Sequence, residues 1–268
     1  MLKLLKYEWK ACARACLPVY GGVLAVALIN RLMEILHLQN VLGGVPQLLA
    51  AFAYFGVMVA VFVVTAVILL QRFYKSLLGD EGYLMFTLPV TPAQHIWSKS
   101  IIAFVMCVLS GVTAMLSVVI LAASGSFPVD LLNFFKELFR MLTHTDFGAA
   151  NGLLYALECA ALLVIVSLAG ILFMYVCIAL GHLAKKHRVA MAVVWYFVLS
   201  TVMQFLFAMV IMAGDNGIIN AMYGWVTHLP EAVQIHFVLL NMCIGAAIPG
   251  AAFFLGTRYI LKNKLNLE

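Results

Sequence analysis

Two acidic residues framed by glycines, Gly79-Asp80-Glu81-Gly82, are the first place where this chain could engage a partner by charge. Adjacent carboxylates in a tight turn or at a helix start can receive the basic groups of another protein. Three more charges, Arg31, Glu34 and Glu158, sit inside long apolar runs. An ionisable group is costly there, and therefore informative. Arg31 and Glu34 are three residues apart and can meet on one helical face. The remaining signals argue against catalysis. The sequence has no Gly-Lys pair, so G-x-x-x-x-G-K-[ST] is absent and ATP hydrolysis by that route is not expected. Neither H-E-x-x-H nor G-x-S-x-G occurs. The seven histidines are scattered, and His182 and His187 flank a basic turn as interfacial residues. The cysteines at 12, 16, 107, 159, 177 and 243 form no C-x-x-C pair and read as small apolar residues. No enzyme activity, metal or cofactor is expected in this chain.

The elements that must position these charges follow from composition. Of 268 residues, 65% are hydrophobic and 10% charged, against about 25% charged in a typical soluble domain. A water-soluble fold could not hide so much apolar surface, whereas a bilayer removes that constraint. The apolar blocks predict an all-α polytopic membrane protein, a single transmembrane domain over 1–268. Its six spans fall at about 17–37, 47–71, 96–123, 153–181, 189–213 and 237–260. No cleavable leader is expected, because the first block runs past Gly21 and Gly22 without a small-residue cleavage site.

Charge orients these spans. Six spans put Lys3, Lys6, Lys10, Arg14, Arg72, Lys75, Lys99, Lys185, Lys186, Arg188, Arg258, Lys262 and Lys264 on one side, 13 of the 16 basic residues. Arg31, Lys136 and Arg140 fall on the other. The positive-inside rule then predicts cytoplasmic N and C termini. The net charge of +5 gathers at the ends of apolar blocks, which fits membrane topology and not nucleic acid.

Residues 1–16 read as an amphipathic helix, with Leu2, Leu5, Trp9 and Ala13 against Lys3, Lys6, Lys10 and Arg14. Such a helix lies in the interface with its cations toward anionic lipid headgroups, or simply leads into the first span. The 124–152 segment has one apolar face at helical spacing and suits the outer leaflet. The 214–236 segment mixes Gly, Asn and Pro with Tyr223 and Trp225, and could re-enter the outer membrane as short helices.

The stretch from Arg72 to Lys99 is neither short nor polar. Arg72, Phe73, Tyr74 and Lys75 carry the second span past the bilayer. Tyr83, Leu84, Phe86 and Leu88 present an apolar face outside the hydrocarbon, and Pro89 and Pro92 stop that element before the third span. Exposed apolar and acidic groups together suggest a docking surface, or an element packed back on its own bundle. Phe73-Tyr74-Lys75, Gly79-Asp80-Glu81-Gly82-Tyr83-Leu84, Phe86-Thr87-Leu88-Pro89-Val90 and Ser98-Lys99 resemble the ABC-2 type permeases of Gram-positive bacteria. The opening Leu2-Lys3-Leu4-Leu5-Lys6-Tyr7-Glu8-Trp9-Lys10, running into Leu17-Pro18-Val19-Tyr20-Gly21, is similar to their N-terminus.

That resemblance implies an N-terminal interfacial elbow helix, a cytoplasmic coupling helix and an outer re-entrant segment between spans 5 and 6. The coupling helix, with Gly79, Asp80, Glu81, Gly82, Tyr83, Leu84 and Phe86, would fit a cleft in a separate ATP-binding-cassette ATPase. ATP and Mg would be bound in that partner. A second permease copy or similar permease would complete the path in the bacterial cytoplasmic membrane.

The in-span charges leave two arrangements open. Arg31 lies ~21 Å above the inner edge and Glu158 ~9 Å below the outer edge, at 1.5 Å per residue through a ~30 Å core. The two depths coincide and allow an Arg31–Glu158 contact, within or between subunits. Otherwise Arg31 and Glu34 reach outward while Glu158 faces water, and a role on the substrate path is the further reading. Thr65, Ser110, Thr113, Ser117, Ser167, Ser200, Thr201, Gln204 and Asn241 are expected to bond between helices. The competing functional class is a secondary transporter or channel driven by an ion gradient, which should show ionisable groups near the midplane.

Overall fold

The computed structural model describes residues 2–36, 45–79, 82, 90–122, 129, 132–133, 136–137, 140, 149–184, 186–215 and 224–263. Among the described residues the chain is all-helical, with no strand. The helices are α1 (Leu2–Ile35), α2 (Val45–Phe73), α3 (Pro92–Ala122), α4 (Ala149–His182), α5 (Arg188–Asp215) and α6 (Glu231–Asn263). A π-helical turn, Tyr74–Leu78, extends α2, and a 3₁₀ turn, Gly224–His228, precedes α6. All six helices are long and apolar enough to cross a membrane, the mark of a multi-pass membrane protein. A helix is the economical way through a bilayer because it satisfies its own backbone polar groups.

The helix ends differ from the sequence reading by a few residues, and three of them have a visible cause or consequence. No helix break separates residues 1–16 from the first span; α1 runs on with Pro18 inside it. Pro18 is exposed, while Cys12, Cys16, Tyr20, Val23 and Ala27 form one buried stripe past it. Packing along that stripe holds the helix together where a proline removes one backbone donor. The third span starts at Pro92, four residues earlier than expected, because Thr91 and Gln94 cap it. The Thr91 N–H donates to Gln94 Oε1 at 3.1 Å, and Pro92 occupies the first helical position, where its missing donor costs nothing. The sixth span starts at Glu231, directly after Pro230, with Gln234 Nε2 donating to Leu229 O at 2.8 Å.

The helices form two compact units, Met1–Phe73 with Trp97–Leu138, and Tyr74–Ile96 with Phe139–Glu268. In the first, the Tyr20 hydroxyl of α1 donates to Met106 O of α3 at 3.0 Å. Tyr54 of α2 meets Ser117 of α3 at 2.9 Å. In the second, Phe173 of α4 stands edge-on to Tyr196 of α5 and to Phe253 of α6, with centroids 5.6 and 5.3 Å away. Small residues set the spacing. A Cβ on Gly250 would reach Ala169 Cβ at 3.2 Å, and one on Gly256 would reach Val176 Cγ2 at 3.3 Å. A Cβ on Gly181 would sit 2.5 Å from Ala192 Cα, so the α4–α5 hairpin closes only on glycine.

The polar span residues behave differently from the expectation. Thr65, Ser110, Thr113, Ser117, Ser167, Thr201 and Asn241 each donate to a carbonyl three or four residues back on their own helix. That acceptor is already in place at the side chain's reach, so no second helix has to be ordered to satisfy the group. Interhelical contact persists at Thr65, 3.3 Å from the Tyr20 hydroxyl, and at Ser117.

Candidate functional site

The segment singled out by sequence begins where α2 ends. Its π turn closes with Gly79 N–H donating to Tyr74 O at 2.9 Å, and Gly82 N–H then donates to Gly79 O at 2.8 Å. The second bond fits either the tight turn or the helix start that the bracketing glycines allow. Gly79 is required sterically, since a Cβ there would meet Lys75 O at 2.9 Å. Asp80, Glu81, Tyr83, Leu84 and Phe86 lie outside the described residues.

The first unit holds a cluster that the sequence reading did not anticipate. Glu8 of α1 accepts from Lys99 Nζ of α3 at 2.6 Å through Oε1. Its Oε2 accepts from Arg72 Nη2 in the last turn of α2 at 3.0 Å. The Glu8 and Lys99 side chains are 5% and 4% exposed, and Arg72 is 32% exposed. One carboxylate with both oxygens used against two cations is how a buried charge becomes tolerable. The signal was present as an isolated acid in a basic stretch, Lys6-Tyr7-Glu8-Trp9-Lys10, on the face one position round from the expected apolar one. Accordingly Trp9 is 40% exposed and Glu8 buried, while Lys3, Lys6, Lys10 and Arg14 are exposed as expected.

In the second unit the head of the same segment meets α4. Tyr74 and His182 pack edge-on with ring centroids 6.0 Å apart. An open cleft lined by Tyr74, His187, Arg188, Val189 and Ala190 brings that head beside the α4–α5 turn. His187 adopts a left-handed backbone, φ 54°, to make this turn. The start of the α2–α3 connection therefore lies beside the α4–α5 turn in this unit.

The in-span charges each have a partner in their own unit. Arg31 Nη1 meets Glu34 Oε2 at 2.6 Å, the i,i+3 pairing that the spacing allows. Glu158 of α4 meets His236 of α6, with Nδ1 2.9 Å from each carboxylate oxygen. The imidazole stacks on Tyr155, centroids 4.3 Å apart, and the Tyr155 hydroxyl donates to Ala232 O at 3.0 Å. His236 was missed because an isolated histidine near a span end carries no pattern of its own. Of the 214–236 segment, Trp225 lies edge-on to Phe237 of α6 at 5.7 Å. Most of the 124–152 segment and residues 216–223 lie outside the described residues.

Comparison with protein-family models, curated proteins and solved structures gives no match for this chain.

Proposed function

We propose that this chain is the membrane-spanning permease subunit of an ATP-binding-cassette exporter of the ABC-2 type. It acts from the bacterial cytoplasmic membrane with both termini in the cytoplasm. A separate ATPase, which binds ATP and Mg, docks on the Gly79 to Leu88 segment. Two permease subunits enclose the path of an amphipathic or hydrophobic substrate, and ATP-driven closure of the motor moves them between access states. The observation that carries this reading is the location of that acidic, apolar segment. The chain enters it at Tyr74, beside the α4–α5 turn and its Arg188. Helix length supports it: Leu48–Leu78 is 31 residues, ~46 Å at 1.5 Å per residue, against a ~30 Å hydrocarbon core. The surplus turns can carry the segment clear of the membrane.

A mild-detergent pull-down of the tagged chain from its native cells tests this, with and without Asp80→Lys/Glu81→Lys. Recovery of an ATP-binding-cassette protein with the native chain, and its loss with the double reversal, supports both the assignment and the docking surface. Recovery with both forms keeps the assignment and removes the acidic pair from the contact. Recovery with neither sinks the assignment.

The second reading, a secondary transporter or channel driven by an ion gradient, would have to work through the Glu158–His236 pair between two apolar helices, which lies toward the outer edge and not at the midplane. Proteoliposomes of the chain alone that take up protons without ATP, and lose that uptake with Glu158→Gln, would establish it.

A further inference from the structure

The segment between α2 and α3 is entered and left at two points that the N-terminal helix holds together. The chain passes out of the first unit between Phe73 and Tyr74 and returns between Ile96 and Trp97. Arg72 stands one residue before the first crossing, and Lys99 two residues beyond Trp97. Both cations turn onto the same carboxylate, that of Glu8, 64 and 91 residues away in sequence. The three residues come from the opening stretch and from the two flanks of the segment, three pieces of sequence with no local reason to be related.

Packing alone does not call for these charges. The α1 stripe of Cys12, Cys16, Tyr20, Val23 and Ala27 is already buried. Replacing a buried ion cluster by apolar residues of similar volume is often neutral or stabilising. A cluster of directional bonds does what apolar contacts cannot: it fixes one spacing and one register between the helix ends that it joins. We propose that Glu8 is a positioning residue for engagement of the ATPase. Its carboxylate sets the separation of the two segment roots, which makes the N-terminal helix a working part of the coupling apparatus. This inference rests on the permease reading above.

The test compares the native chain with Glu8→Gln and with Glu8→Met/Lys99→Met, the second restoring an apolar match where the first leaves Lys99 without its counter-charge. Each is purified in mild detergent, and its thermal melt is recorded. Each is then titrated with the ATPase that co-purifies with the native chain. The expected result is a double variant that melts with the native chain yet binds the ATPase about tenfold more weakly, within the range usual for coupled sites. Native affinity in a folded variant overturns the proposal, because a carboxylate that only packs the helix can be replaced without loss. Hydrogen exchange on the unmodified chain gives an independent readout that does not depend on either variant folding. Residues 2–16 should slow together with 74–96 when the ATPase binds. Slowing at 74–96 alone overturns the proposal. If the native chain retains no ATPase, the permease reading fails first, and that outcome involves no substitution at Glu8.

Discussion

Glu8 Oε1 and Lys99 Nζ lie 2.6 Å apart, although 91 residues separate them in the chain. Both side chains are almost wholly buried. The pair therefore joins the start of α1 to the first turns of α3 more firmly than their distance in sequence suggests.

Removing only the cation should be the damaging change. Lys99→Met leaves Glu8 with Arg72, itself one-third exposed, as its remaining charged contact. A buried charge stripped of a partner costs about 3–5 kcal/mol, and a compensated apolar replacement far less. Detergent melting should therefore rank native and Glu8→Met/Lys99→Met together, with Lys99→Met well below. Equal melting of the single and double variants would show that the cluster is not buried in the membrane-embedded protein.

The α4–α6 contact should reject added volume. Gly250 and Gly256 approach Ala169 and Val176 at 3.2 and 3.3 Å from where a Cβ would stand. Gly250→Val is expected to cost about 1–3 kcal/mol, the usual range for overpacking. Gly245, with nothing near its Cβ position, is the control. Monodispersity on size exclusion after graded heating reads the difference. Matching behaviour of Gly250→Val and Gly245→Val would contradict the close approach.

Gly181 is the most restrictive small residue among those described. A Cβ there would lie 2.5 Å from backbone atoms of Ala192, and backbone cannot swing aside as a long side chain can. Gly181→Ala should open the α4–α5 hairpin and lower the yield of folded chain. Folded yield on size exclusion reads the effect, and a native yield from Gly181→Ala would place the two helices further apart than described.

The Glu158–His236 pair should show coupling in a double-mutant cycle. With side chains 30% and 23% exposed, the term is expected at the low end of the range for contacting residues, about 0.5–1 kcal/mol. Glu158→Gln, His236→Asn and the double variant, melted in the same detergent, measure it. Strict additivity would mean that the two groups do not meet.

Hydropathy made the six helices legible, because a bilayer demands long apolar runs whose backbone is satisfied within each helix. Arg31–Glu34 was legible for a similar reason: helical geometry alone brings positions three apart together. Thr91 and Gln94 show a signal that was present and unused, a capping pattern that moves the start of α3. Glu8 and His236 had no such local signature. Their partners lie 64, 91 and 78 residues away, and which lone acid meets which cation depends on the rotation of each helix about its axis. In an apolar chain nearly every face is greasy, so periodicity scarcely specifies that rotation. Sequence by itself determined the class, the spans and the sorting of cations to span ends. Only tertiary packing decided that Glu8 would turn inward and gather Arg72 and Lys99, because an inward face is a property of neighbouring helices and not of one helix alone.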